Sequence, residues 1–382
     1  MIKPIPYGRQ NITDQDINAV VEVLKSDFLT QGPKIIDLEN KFSNYVGSKY
    51  SVAVSNGTAA LHLCSMAMNV KPGDKVITTP ITFSASANCI RYCGGEIVFG
   101  DIDPETYLLD INSVRELLKS SPSGTYKGII PVDFAGLPIN MEEYKKLAIK
   151  NNLWIIEDAC HAPGGYFVDS KGLKNFTGNG VYADISVFSF HPVKHIACGE
   201  GGMLTTNSKQ LYNKLMLLRT HGITKKGMKG NHGKWYYEMQ ELGFNYRLTD
   251  IQSALGIIQL TKNRKGVEIR NRIAKKYKEA FDGKIKYQFL PKKSYNAHHL
   301  FVIEVEKRKE LYEYLRSNGI LTQIHYIPVH TFPYYKNIGY EGADLINSEN
   351  YYLKCLSLPM YPTLTNKEQN KVIELIKSFF NA

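Results

Sequence analysis

The sequence predicts an α/β protein: a large domain with a mostly parallel central sheet flanked by helices, then a smaller C-terminal α+β domain. Three observations carry that prediction. Over about the first 200 residues, short β-branched runs alternate with helical segments, the pattern of a parallel sheet with crossover helices. Several runs end in polar residues (Asp101, Asp133, Asp158), where a doubly wound sheet presents groups to ligands. After Asn245-Tyr-Arg-Leu-Thr-Asp250 the pattern gives way to one long amphipathic stretch and then to short mixed segments. The expected division is 1–250 and 251–382, and a length of 382 residues suits about two domains.

Taken in order, a helix over Asp14–Ser26 starts at a Thr13 cap. The strand Tyr50–Val54 leads into a helix opening at Asn56-Gly57-Thr58-Ala59-Ala60. Lys75–Thr79 reads as a strand and Ala85–Tyr92 as the helix after it. Glu96–Gly100, Gly128–Val132 and Leu153–Glu157 continue the strand series, and Ser186–Phe190 and Gly202–Thr206 bracket a lysine-bearing loop. Residues 169–179 read as a polar surface excursion, and Gly222–Gly233, rich in Gly and Lys, as a surface loop. A connecting helix is expected from Ile251 to about Phe281. Strands at Lys284–Phe289, Leu300–Val305 and Leu321–Ile327, a helix at Lys309–Asn318 and a last helix at Asn366–Phe380 complete the smaller domain.

At 43% hydrophobic and 22% charged, the composition is that of a soluble chain with a large core. No stretch approaches the roughly 20 apolar residues that span a bilayer, and the N-terminus has no apolar signal core, so a cytoplasmic location and no membrane partner are expected. The six cysteines include no CxxC pair, and Cys89 and Cys93, which could share a helix face, have no histidine near them, so reduced structural thiols are expected and no metal. A net charge of +11, clustered around Lys225–Lys234 and Arg264–Lys276, fits a solvated surface, attraction of a small polyanion, or nucleic acid. No helix-turn-helix pattern supports the last.

Lys194 is the focus of the chemistry. It follows an apolar strand in Ser189-Phe-His191-Pro-Val-Lys194-His195-Ile-Ala-Cys-Gly199-Glu-Gly201-Gly202. A lysine held among apolar walls loses hydration of its ammonium and becomes available as a nucleophilic amine. Asp158, at the end of another apolar run, is placed to hold a pyridinium nitrogen, and lysine with acid is the pairing that pyridoxal phosphate (PLP) requires. Gly57 and Thr58 open a helix and suit a phosphate, with Ser189 five residues before Lys194. Taken singly, each has an ordinary reading: a helix cap, a strand serine, a sheet-end aspartate. His161 and Phe83 offer rings to a cofactor or to the core, and His325-Tyr326 puts two polar rings in a possible substrate wall.

Together these residues resemble the DegT/DnrJ/EryC1/StrS family of PLP-dependent nucleotide-sugar aminotransferases, across nearly the whole chain. The resemblance is carried by Leu29-Thr30-Gln31-Gly32-Pro33, Asn56–Leu61, Glu157-Asp158-Ala-Cys-His161-Ala, Ser189–Lys194, Gly199–Gly202 and Gly243–Leu248. It implies a fold-type-I transferase in which Lys194 binds the cofactor covalently and shuttles a proton. It further implies that Asp158 pairs with the ring nitrogen, that Gly57, Thr58 and Ser189 hold the phosphate, and that Phe83 stacks on the ring beside His161. Asn245 would reach the phosphate from the second subunit of a homodimer, and Tyr7, Thr30, His325 and Tyr326 would meet the substrate. The implied reaction moves an amino group from L-glutamate, through the PLP and PMP forms, to C4 of a UDP-linked 4-keto-6-deoxy-N-acetylhexosamine of pseudaminic-acid type. Other 4-keto nucleotide sugars, of bacillosamine, perosamine or viosamine type, are the alternative acceptors. A PLP-dependent sugar dehydrase has His where this chain has Lys194, and a non-catalytic sensor would not need the lysine, aspartate and serine together.

Overall fold

The computed structural model describes residues 4–225, 233–340 and 344–381. A seven-stranded sheet runs in the spatial order Tyr50–Val54, Gly202–Thr206, Ile185–Ser189, Trp154–Asp158, Tyr126–Ile130, Lys75–Thr78, Glu96–Phe99. Only Gly202–Thr206 runs against its neighbours; the remaining pairs are parallel. Both faces are covered, which is why the strands read as nearly continuous apolar runs. Ile130 and Ile156 enter one apolar cluster while Ile129 and Ile155 enter another. Gly128 pairs with Trp154, and a Cβ there would lie 2.1 Å from the indole, so only glycine lets that ring cross the strand.

Helices position the loops at the strand ends. Thr13 caps Asp14–Leu24, its N–H bonding the Asp16 carboxylate at 2.7 Å. Gly57–Ala67 buries eight of its residues, so its N-terminus is held rigidly against the sheet. Asp250–Phe281 begins with a Thr249–Gln252 capping box and runs 32 residues, about 48 Å at 1.5 Å per residue. Its first half packs on Asp14–Leu24 and Pro33–Val46. Its second half sends Ile273, Tyr277 and Phe281 into a separate cluster with Phe301, Leu311, Leu356 and Ile376. That cluster sits under an antiparallel sheet of Lys286–Tyr287, Phe301–Glu304 and Cys355–Leu358. Ile5–Pro6 pairs with Ile320–Leu321, and Tyr7 is fixed by its carbonyl accepting from Met360 N–H at 2.8 Å.

Three expectations are corrected. Leu321–Ile327 is not a strand: the ladder ends at Leu321, and the chain turns away so that His325 and Tyr326 find side-chain partners instead. Residues 169–179 are more than a surface excursion. Tyr166–Val168 and Lys174–Phe176 form a hairpin that also pairs with Ser294–Tyr295, burying Asp169, Asn175 and Thr177. Hydrogen bonds from the Leu173 and Lys171 N–H groups, Asn175 and Tyr182 hold the Asp169 carboxyl down at about 2. Of the three strand-end aspartates, only Asp158 lines the main cavity described below. Asp101 caps the helix Ile346–Lys354 through Asn347 and Ser348, and Asp133 is buried on Ile139 N–H. The helix Pro33–Val46 was passed over in the sequence, whereas Lys226 and Lys229 of the basic loop lie outside the described residues. Among the described residues no helix is long and apolar enough to cross a membrane.

Candidate active site

A cavity of about 710 Å³ opens at the ends of the strands that carry Asp158 and Ser189. At one end stands the start of the helix Gly57–Ala67. Asn56 caps it by accepting Ala59 N–H at 2.8 Å, which leaves the N–H groups of Gly57 and Thr58 without intrahelical acceptors. A Cβ at Gly57 would lie 3.0 Å from Ser189 Cβ and 3.2 Å from its Oγ, so glycine is what lets the serine hydroxyl sit against the helix start. Two amide donors, a hydroxyl and the positive end of a helix dipole make a cradle for a phosphate.

At the other end lies Asp158, 4% exposed. Its Oδ1 accepts Cys160 N–H at 3.2 Å and its Oδ2 accepts the Ser86 hydroxyl at 2.6 Å. Lys194 lines the same cavity from the loop that joins Ile185–Ser189 to Gly202–Thr206. Burial lowers the Lys194 ammonium below the ordinary lysine range, while Cys160 and Asp158 pull it the other way. The amine is therefore desolvated yet within electrostatic reach of the acid. A phosphate cradle, an amine and a buried carboxylate around one cavity fit PLP.

Five aromatic groups, His161, Tyr326, His325, Tyr7 and Phe83, form the remaining wall. His161 is pushed far below its ordinary pKa by burial first, then by Lys194, His325 and His195. It is neutral, and its Nδ1 accepts Ala135 N–H at 3.3 Å, so its proton sits on Nε2 and donates to Tyr326 Oη at 3.2 Å. Burial holds the Tyr326 phenol protonated, which leaves its own O–H to donate into the cavity. His325 Nδ1 meets Ser357 Oγ at 2.8 Å, and burial together with Lys194 pushes the imidazole down to about 3. Tyr7 packs on His325 at 5.1 Å between ring centroids, and Phe83, 60% exposed, lies 6.3 Å from Tyr326.

The cavity thus gathers Lys194, Asp158, Gly57, Thr58, Ser189, His161, Phe83, Tyr7, His325 and Tyr326. It does not gather Thr30, which bridges to Thr249, or Asn245, which is exposed and bridges to Thr220. Sequence reasoning missed Thr82 and Ser86, whose hydroxyls stand 2.8 Å apart behind Asp158. The signal was a Thr just ahead of the helix Ala85–Tyr92 and a Ser in its first turn.

The family model described as the DegT/DnrJ/EryC1/StrS aminotransferase family matches residues 10–377. The chain is 36% identical to the UDP-4-amino-4,6-dideoxy-N-acetyl-beta-L-altrosamine transaminase of Campylobacter jejuni, with 98% of this chain and 97% of that protein covered. Among solved structures, Helicobacter pylori PseC, an aminotransferase of pseudoaminic acid biosynthesis, aligns with a TM-score of 0.89 at 30% identity over 100% of both chains. The PMP form of Spr1654 from Streptococcus pneumoniae, described as a sugar aminotransferase, aligns with a TM-score of 0.90 at 28% identity over 98% of both chains. The same protein is known in a PLP form, which aligns with a TM-score of 0.89 at 27% identity over 98% of both chains.

Proposed function

We propose a donor, an acceptor and a division of labour for a chain that belongs to the DegT/DnrJ/EryC1/StrS aminotransferase family and is a PLP-dependent sugar aminotransferase of fold type I. The amino group passes from L-glutamate to C4 of a UDP-linked 4-keto-6-deoxy-N-acetylhexosamine, a step of pseudaminic-acid type carried out in the cytoplasm. The likeness to the Campylobacter transaminase and to PseC supports that sugar.

The observation that carries the reading is the half-buried Lys194 lining one cavity with Asp158 and the phosphate cradle. Bound there, PLP supplies an electron sink and carries the amino group between donor and acceptor. Gly57, Thr58 and Ser189 hold its phosphate, and Asp158 keeps a positive charge on its ring nitrogen. Lys194 would anchor the cofactor through its amine and, once displaced, would move a proton between the substrate carbon and the cofactor in each half-reaction. A lysine suits both tasks because burial lowers its ammonium below the ordinary lysine range, which favours the free amine. Phe83 covers a ring face, and neutral His161 sets Tyr326 to donate its hydroxyl proton to an oxygen of the cofactor or substrate. His325 and Tyr7 close the sugar side of the cavity.

The large domain, 1–250, supplies the cradle, and the smaller one, 251–382, supplies His325 and Tyr326. Exposed Asn245 serves the cavity of a second copy, since it does not line its own, and Thr30 meets substrate across the same homodimer interface. Exposed Phe28, Ile36 and Leu242 support that pairing. The test is a panel of UDP-, dTDP- and GDP-linked 4-keto sugars with glutamate, read as 2-oxoglutarate released. Turnover greatest with the UDP-linked N-acetylhexosamine supports the reading, and a preference for another sugar overturns it.

A further inference from the structure

Asp158 has donors behind it that sequence reasoning and the mechanism above leave unused. An ionised carboxylate has only acceptor sites, so the hydroxyl proton of Ser86 is committed to Asp158 Oδ2 at 2.6 Å. The one competing acceptor recorded for that hydroxyl, the Phe83 carbonyl, lies at 3.4 Å and loses on distance. Ser86 Oγ also lies 2.8 Å from Thr82 Oγ1. With the Ser86 proton already given away, Thr82 must be the donor at that contact. The hydroxyls form a one-way chain, Thr82 to Ser86 to Asp158. Thr82 is 3% exposed and Ser86 1%, so each hydroxyl is held at the inner wall of the cavity.

We propose that Thr82 and Ser86 are positioning residues: a hydroxyl relay that fixes the Asp158 carboxylate and keeps the shared proton on the cofactor's ring nitrogen. The proposal rests on the reading of Asp158 as the ring-nitrogen partner. Each hydrogen bond donated to a carboxylate withdraws charge from it and makes it a weaker base. A proton shared between that carboxylate and a pyridine nitrogen then stays on the nitrogen, where the positive charge is useful. The relay strengthens this, because a hydroxyl that accepts a hydrogen bond becomes a better donor. It is also rigid. Ser86 belongs to the first turn of the helix Ala85–Tyr92, and Cys160 N–H holds the other oxygen, so the carboxylate cannot rotate away from the cavity.

The experiment loads apo-protein with ring-¹⁵N-labelled PLP and records the nitrogen resonance of wild type, Ser86→Ala, Thr82→Val, Thr82→Ser and Asp158→Asn. Cofactor dissociation constants are measured alongside. Ser86→Ala is expected to move the resonance toward the unprotonated position and to weaken cofactor binding about tenfold, the scale of one lost hydrogen bond to a charged group. Thr82→Val moves the resonance the same way by less, and Thr82→Ser restores it. Weaker binding in Ser86→Ala and Thr82→Val with the resonance unmoved overturns the relay, because the side chains then only fill space. If Ser86→Ala does not fold, Thr82→Val against Thr82→Ser decides the matter alone. Asp158→Asn separates the two claims. If it moves the resonance while the hydroxyl variants do not, the relay alone fails; if it leaves the resonance unmoved, the ring-nitrogen reading fails and takes the relay with it.

Discussion

At the scale of single residues, the site depends on proton positions fixed by neighbours. Neutral His161 spends its one N–H on Tyr326, and that choice turns Tyr326 into a donor toward the cavity. Tyr326→Phe removes the donor and keeps the ring. It is expected to reduce kcat/KM roughly tenfold, the worth of a hydrogen bond of about 1.5 kcal/mol, in steady-state assays. An unchanged value would remove Tyr326 from the proposed contacts. Asp158→Asn preserves shape but removes the charge proposed to face the cofactor's ring nitrogen. A loss of about 10²–10³ in kcat is expected, the scale of removing one charge-stabilising group. A loss of only a few fold would show that the carboxylate is structural.

At the scale of elements, the sheet and its helices are what bring distant residues together. The helix Pro33–Val46 is locked to the strand Tyr50–Val54 and the end of Lys209–Leu218 by Glu39 and Arg219, 2.5 Å apart and 6% and 8% exposed. Glu39 also accepts Ala53 N–H at 2.9 Å, and Arg219 donates to the Ala53 carbonyl at 2.7 Å. Removing one partner strands a buried charge, so Glu39→Ala is expected to cost about 3–5 kcal/mol in urea unfolding. The double change Glu39→Leu with Arg219→Met is expected to cost less than Glu39→Ala; a larger cost would mean that the pair itself holds the elements. The central strands were legible in the sequence because burial on both faces makes them unbroken apolar runs. Lys194, Asp158 and the Gly57 turn were legible because their chemistry is local to short motifs. Thr82 and Ser86 were not, since their meaning depends on Asp158, 72 residues beyond Ser86 in the chain. Leu321–Ile327 misled because Thr322, Ile324, Tyr326 and Ile327 are residue types that strands favour, while His325 and Tyr326 are held by groups far along the chain.

At the scale of the whole molecule, five imidazoles are kept uncharged in and around the cavity. His161, His195 and His299 lie well below their ordinary pKa, and His298 and His325 are pushed down to about 3, with burial the first cause in each. The unfolded chain protonates these groups near pH 6.5 and the folded chain does not. Their stability contribution is therefore complete above about pH 6.5 and falls as pH drops toward the folded values, by about 2 kcal/mol per imidazole at pH 5. Asp133 and Glu157, both raised by burial, act in the opposite sense but are fewer. The unfolding temperature is expected to fall by several degrees between about pH 7.5 and about pH 5. A flat or rising Tm would mean that the imidazoles carry charge in the fold.

The most direct measurement is covalent mapping of the cofactor. Protein loaded with PLP is reduced with borohydride, digested, and the pyridoxyl-bearing peptide is sequenced by mass spectrometry. The label is expected on Lys194 alone, and Lys194→Ala is expected to stay folded, carry no label and transfer no amino group. A label on another lysine, or turnover by Lys194→Ala, would contradict the account.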